Sequence, residues 1–174
     1  MTHQHQDAGK KSTDSLSPDE LVLALIKLSD GYVPGALYIQ KIAFLAANEG
    51  ATSVENTRRK LKYQPLNFGP YSRPVRESLD HLLAERKLVS KTLSSDKYNK
   101  EAFYLTETGR DAAGRIIETL DEDSRRYLTT ICKGAKQLGY AGILRYVYSR
   151  YPDFTTKSDI VREVEDSYDY SRSY

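Results

Sequence analysis

Arg73 and Arg76 are the side chains of this chain best placed to do specific chemistry. They stand three residues apart at the head of Ser72-Arg73-Pro74-Val75-Arg76, so on a helix they share one face. A guanidinium carries a fork of N–H donors that can address the O6 and N7 of guanine with two hydrogen bonds. Glu77, Asp80 and His81 fall on the same side of that helix. A carboxylate there can accept from cytosine or orient the arginines. In the blander alternative it closes an intrahelical pair, Glu77 with His81 or Asp80 with Arg76, worth on the order of a few tenths of a kcal/mol. Upstream, Arg58-Arg59-Lys60 with Lys62 is the densest basic cluster, suited to phosphate oxygens or, equally, to a solvated turn. Downstream, Lys91, Lys97 and Lys100, with Tyr98 and Asn99, mark a polar hairpin fit for phosphate or minor-groove contact.

Charge follows the same division. The 174 residues carry a net charge of +2, but residues 58–100 hold 11 Lys/Arg against 4 Asp/Glu. Residues 1–57 hold 4 against 7, and residues 101–174 hold 11 against 13. Positive charge gathered on one segment is the footprint of a phosphate-binding face, although basic side chains also serve simply to solvate a surface.

Catalytic chemistry is sparse by comparison. The chain has no glycine-rich phosphate loop, no Gly-x-Ser-x-Gly elbow and no His-Glu-x-x-His. His3 and His5 sit in a polar leader, which leaves His81 as the one histidine able to act as an acid or base, and a DNA-facing or solvated helix face suits it better. The carboxylate pairs Asp121/Asp123 and Glu163/Glu165 belong to helix starts or solvated stretches. The expectation is a protein that is not an enzyme and needs no metal or cofactor. Cys132, the single cysteine, rules out a cysteine-ligated zinc site and reads as a small apolar residue on a buried helix face. No apolar run spans a membrane and Met1–Ser15 lacks the apolar core of a signal peptide, so a cytoplasmic protein is expected.

These side chains need a scaffold, and its order is legible. Ser17-Pro18-Asp19-Glu20 is a capping box with proline in the first turn, opening a helix with Leu21, Leu25 and Leu28 on one stripe to about Ser29. Gly31 and Pro34-Gly35 end it. A second helix fills Ala36–Asn48 with Leu37, Ile42, Leu45 and Ala46 inward, until Gly50. Between Ala51 and Gln64 a short helix or turn around Ser53–Asn56 and an extended run at Leu61-Lys62-Tyr63 are expected. Pro65, Gly69 and Pro70 forbid regular helix through Tyr71. Ser72 then caps a helix whose buried stripe is Val75, Leu79, Leu82 and Leu83, ending near Arg86-Lys87. Strands at Leu88–Leu93 and Ala102–Leu105 flank a polar turn, Ser94–Lys100. Thr106-Glu107-Thr108-Gly109 starts a helix to Leu120, Asp121 caps one from Glu122 to Leu138, Gly139 breaks it, and Gly142–Arg150 resumes. Ser158 can cap a last short helix through Glu165.

Helix, hairpin, helix is the second half of a winged helix-turn-helix. The fold class expected is therefore mainly α: a winged helix-turn-helix with a small β-hairpin wing and a C-terminal helical extension. Its parts are a disordered leader at 1–16, the winged-helix domain at 17–120, a helical extension at 121–166 and a frayed tail at 167–174. Tyrosine supplies 14 of the 18 aromatic residues, many of them late in the chain. Tyr148 and Tyr151 with Leu144 suit a core or a dimer seam, ahead of a stacking platform for single strands.

Two stretches also resemble a known family. Tyr38-Ile39-Gln40-Lys41-Ile42-Ala43-Phe44-Leu45 is similar to the leucine-x-lysine-leucine-x-aromatic-leucine helix of the Panacea, or SocA-like, antitoxin domains. Asn67-Phe68-Gly69-Pro70-Tyr71-Ser72 resembles the aromatic-Gly-Pro turn before a helix in those proteins. Uncharacterised bacterial and archaeal winged-helix proteins look closer still, pairing that turn with a terminal segment like Val147-Tyr148-Ser149-Arg150-Tyr151-Pro152-Asp153-Phe154-Thr155. The resemblance covers about residues 36–160 and departs at Asn67-Phe68, where tryptophan is frequent. It implies a helical domain around a small wing, acting as a regulator or a neutralising partner.

The residues together point to duplex DNA as partner and to a transcriptional regulator, dimeric through the helices after Glu122. The alternative is an antitoxin-like or defence-associated module that binds a toxin or nuclease and no DNA.

Overall fold

The structure, a computed structural model, describes residues 15–49, 55–94 and 99–155. The chain runs α1 (Pro18–Leu28), β1 (Tyr32–Val33), α2 (Ala36–Asn48), α3 (Glu55–Leu61), β2 (Gln64–Leu66), β3 (Gly69–Tyr71), α4 (Arg73–Ala84), β4 (Leu88–Ser94), β5 (Asn99–Leu105), α5 (Glu107–Thr119) and α6 (Glu122–Arg150), followed by a 3-10 turn at Pro152–Phe154. It is mainly helical with a small antiparallel sheet. The expected helix at 158–165, the tail, most of the leader, the hairpin tip at 95–98 and the stretch 50–54 lie outside the described residues.

Two helices form the centre. The Ser17 capping box is made as its spacing requires: Glu20 N donates to Ser17 Oγ (3.1 Å) and Ser17 N to Glu20 Oε2 (2.9 Å). Leu16, expected in the leader, is instead buried in the core, in the position from which a hydrophobic staple reaches the helix's fourth residue, Leu21. The stripe expected on α1 is wider than anticipated. Leu21 through Ile26 are all buried because α2, α4, α5 and α6 pack around this helix. On α2 every residue from Tyr38 to Ala47 is buried, while Leu37, expected inward, is half-exposed. A helix apolar nearly all round belongs in the middle of a fold.

The sheet has order β1-β5-β4 and is antiparallel throughout. The β4–β5 hairpin pairs Leu88 with Leu105 at its base and Ser94 with Asn99 toward its tip. The two-residue β1, not anticipated, adds Tyr32 and Val33 opposite Tyr104 and Phe103. Its short length and the turn at Asp30-Gly31 hid it. The α4–β4 junction is tightly built. Arg86 takes a left-handed conformation (φ 56°), Lys87 N donates back to Leu82 O (2.9 Å), and Thr106 N donates to Lys87 O (3.1 Å). Thr106 caps α5 by accepting from Gly109 N (3.0 Å). A Cβ on Gly109 would lie 2.0 Å from the Lys87 carbonyl oxygen, so the Thr-x-Thr-Gly junction requires glycine for close approach.

The stretch 55–71 departs from expectation. Of the short helix or turn expected around Ser53–Asn56, a helix is found, at Glu55–Leu61, with Thr57 and Leu61, four apart, both buried. Extension begins later, at Gln64, where β2 and β3 close a tight hairpin around Asn67-Phe68. Tyr63 turns inward instead. Its ring meets Phe44 edge-on at 5.0 Å and its hydroxyl donates to Gln40 O (2.9 Å). Burial holds its phenol protonated well above the ordinary tyrosine range.

The expected break falls at Gly139, whose non-helical φ 68°, ψ 177° kinks α6 into two helical halves. Its apolar side chains Leu128, Cys132, Ala135, Ile143 and Val147 join the same buried cluster as α1 and α2. Leu144 is also buried, and Tyr151 meets Phe44 edge-on at 4.9 Å. These residues therefore serve the chain's own core. Cys132 is buried as expected, its Sγ 3.6 Å from Leu25 O, and burial pushes its thiol up to about 11.

One polar clamp joins the centre to α4. Gln40 Nε2 donates to Ser72 O (2.8 Å) and Ser72 N donates to Gln40 Oε1 (2.8 Å), all buried. Gln40→Met keeps the volume and removes both bonds; Ser72 O still accepts from Arg76 N (3.2 Å), but the buried Ser72 N–H is left unmade. A loss of about 1–3 kcal/mol is expected, the cost of one unsatisfied buried group. Urea unfolding of the variant against the parent measures it.

Candidate nucleic-acid interface

The residues expected to touch nucleic acid divide among four settings. On α4, proline in the first turn and the Ser72 cap, which accepts from Val75 N (3.2 Å), start the helix with its arginines foremost. Val75, Leu79 and Leu82 are buried as expected, while Leu83 is only half-buried. The opposite face carries Arg73, Arg76, Glu77, Asp80 and His81 toward solvent. Arg73 Nε pairs with Glu77 (2.8 Å) and Arg76 with Asp80 (2.9 Å), both at i,i+4 spacing. The Asp80–Arg76 pair is the one its spacing suggested. Glu77 turns to Arg73 instead of His81.

His81 has a different function from its neighbours. Its Nδ1 lies 2.5 Å from Asp19 Oδ2 on α1 and its Nε2 lies 3.4 Å from Glu85. Those carboxylates raise its pKa above the ordinary 6.5, the hydrogen bond that His81 donates to Asp19 first, then the charges of Asp19 and Glu85. It ties two helices together while its side chain stays largely exposed.

Arg58 and Arg59 of α3, with Lys62 just past its end, border one hollow of about 360 Å³ with Asn48, Tyr63 and Phe154. No described carboxylate forms an ion pair with any of the three. Lys60 points elsewhere and donates to Ser15 Oγ. The basic cluster is thus on the last turn of a helix, where cations also complement the carbonyl end of the helix dipole.

On the β4–β5 hairpin, Lys91 holds its ammonium 5.0 Å from the Tyr104 ring centroid. Tyr104 in turn packs on Tyr32 with ring centroids 4.8 Å apart. Val89 and Leu93, exposed, flank Lys91 on the same strand face. Lys97 lies outside the described residues, as does the side chain of Lys100.

Among the described residues no group of three or more His, Cys, Asp or Glu could hold a metal ion, and no helix is long and apolar enough to cross a membrane. Sequence reading overlooked the buried polar pair Gln40-Lys41. The signal was present: two long polar side chains inside the otherwise apolar run Tyr38–Ala47. Comparison of the chain with protein-family models, with characterised proteins and with solved structures gives no match.

The His81 bridge fixes a pH dependence. A raised folded pKa stabilises below the unfolded value near 6.5, and the contribution is lost as pH rises through the folded value. His81 is expected to titrate above 6.5 by NMR and to fall back toward 6.5 in Asp19→Asn. An unchanged titration in that variant would remove the bridge from the account.

Proposed function

We propose that the chain is a winged-helix DNA-binding protein acting as a transcriptional regulator, with α4 as the reading helix and β4–β5 as the wing. One observation carries the reading. The exposed, arginine-headed α4 leads directly into a twisted hairpin that is braced by β1 and followed by α5. In winged domains the helix before the wing enters the major groove with its N-terminal residues at the base edges. Arg73 and Arg76 hold those positions, and the wing strand supplies Lys91 beside them in sequence order.

The ion pairs on α4 do not outweigh this role. An exposed i,i+4 pair is worth about 0.3–0.5 kcal/mol, whereas a bidentate guanine contact discriminates by about 1–3. The arginines can therefore leave Glu77 and Asp80 at small cost. Arg58, Arg59 and Lys62, without carboxylate partners among the described residues, would add phosphate contacts that set affinity and salt dependence. Dimerisation would use the outer side of α6, where Leu138 and Tyr146 are exposed.

A second reading has its own observation. Glu77 and Asp80 make the α4 face a mixed-charge surface, which suits a protein partner better than a phosphate backbone. On that reading the chain is an antitoxin-like module for a toxin or nuclease, as its resemblance to Panacea domains implies.

A mobility-shift series with random duplex at rising salt separates the two. Arg73→Ala with Arg76→Ala should weaken binding roughly 10- to 100-fold, and Glu77→Gln with Asp80→Asn should tighten it by about the effect of relieving two repulsive charges, several-fold. Absence of binding at low salt, or indifference to both double variants, rejects the DNA reading.

A further inference from the structure

Lys41 is among the largest fully buried side chains of the described residues, a lysine at 1% exposure in the middle of a core helix. Its Nζ donates to Pro70 O (2.9 Å) at the β2–β3 hairpin. An ammonium carries three donors, and no described carboxylate forms an ion pair with it. Burial without a counter-ion pushes it down to about 8. A buried cation lacking a partner is costly, and core positions of this kind usually hold a leucine or methionine.

The surroundings supply a reason for a cation. Lys41 forms part of the wall of a half-open crevice of about 390 Å³ with Leu37, Leu66, Phe68 and Tyr71. Leu66 and Phe68 are exposed at 38% and 47%, unusual for large apolar side chains at a hairpin tip. The volume lies in the range of small-molecule sites, whose walls are apolar and whose few polar groups fix orientation.

We propose that this crevice binds a small organic carboxylate with an aromatic or short aliphatic body, the carboxylate seated against the Lys41 ammonium and the body between Leu37, Leu66 and Phe68. One cation among apolar walls selects a monoanion. A phosphate would demand several more donors, and none of the crevice's other side chains is basic. The anion supplies the missing counter-charge and converts an expensive buried group into a charge-assisted hydrogen bond. The site goes beyond the DNA reading and is independent of it, since its occupancy involves no residue of the α4 face.

The test uses the full chain with phenylacetate and its neutral counterpart phenylacetamide, followed by amide NMR shifts at residues 37–41 and 66–71. Phenylacetate is expected to bind at least about ten-fold more tightly than phenylacetamide, a preference set by the charge-assisted contact. Lys41→Met, an apolar near-isostere tolerated at buried ionic sites, should abolish that preference. Phe68→Ala, at an exposed position that leaves the fold intact, should weaken phenylacetate several-fold. Equal affinity for acid and amide, or a preference that survives Lys41→Met, overturns the proposal. So does binding that shows only after Asp159, Glu163, Glu165 and Asp166 are changed to their amides, because the chain's own acidic segment would then be the occupant. Failure of duplex DNA binding in the earlier series would leave these outcomes unchanged.

Discussion

The Gln40 clamp on Ser72 is the constraint from which the arrangement of the rest follows. Helix α2 is an interior helix, and its polar side chains must find partners where water cannot reach. Gln40 solves this by taking both backbone groups of Ser72, and its own carbonyl receives the Tyr63 hydroxyl. Ser72 in turn donates to Leu61 O and caps α4 through Val75 N. Four elements, α2, α3, the β2–β3 hairpin and α4, thus meet at one buried serine. Each bond alone is worth about 1 kcal/mol, but leaving any of them unmade costs more, so the network tolerates one arrangement. The direction in which α4 leaves the core is set there, and with it the direction of Arg73 and Arg76.

Weak and strong interactions are distributed accordingly. The α4 face is held by exposed ion pairs of a few tenths of a kcal/mol, on the order of thermal energy, so its side chains rearrange readily. The backbone beneath is fixed by buried bonds at its first turn and by the Arg86–Lys87 turn at its end, which Thr106 and Gly109 lock against α5. A rigid helix with adaptable side chains is what a recognition surface needs, whatever its partner. His81 adds a tie to α1 that is strongest when the imidazole is protonated.

Much of the framework was legible because local signals agreed with the tertiary outcome. The Ser17 capping box, the Ser72-x-Pro start, the Thr106 junction and the Gly139 kink each have a local physical cause, and each sits where its residues indicate. What was missed depends on contacts distant in sequence. β1 is two residues long and exists only because β5 offers it an edge. The reach of the helix at 55–61 through Leu61, expected to be extended, is set by Thr57 and Leu61 facing a core that its own sequence does not show. Tyrosines 148 and 151 both pack against the core, and for Tyr151 the distant partner is Phe44, which gathers Tyr63, Tyr151 and Phe154 edge-on. At the candidate site the arginines and the Arg76–Asp80 pair were legible from spacing, but the partner of Glu77 was not, since Arg73 and His81 were both within reach. Lys41 was passed over because a lysine is ordinarily exposed, and only the geometry makes it an exception.

The buried lysine and the serine clamp are neighbours on one helix turn, and that adjacency links the crevice to α4. Lys41 grips Pro70 O and Gln40 grips Ser72, so the two residues hold the hairpin's last strand at positions two apart. An anion in the crevice could act on this joint by displacing the Pro70 contact or by adding to it. An ammonium has three donors and gives one to Pro70, so a carboxylate can be accepted without losing the grip. Addition is favoured over displacement, because releasing Pro70 O would leave a buried carbonyl unmade at roughly 1–3 kcal/mol. Occupancy would then stiffen the turn that launches α4, and its leverage on any partner of that helix is limited to the ordering it imposes there. A ligand that left Lys41 and Pro70 in place would reposition the arginines little; its influence would be on how firmly they are presented.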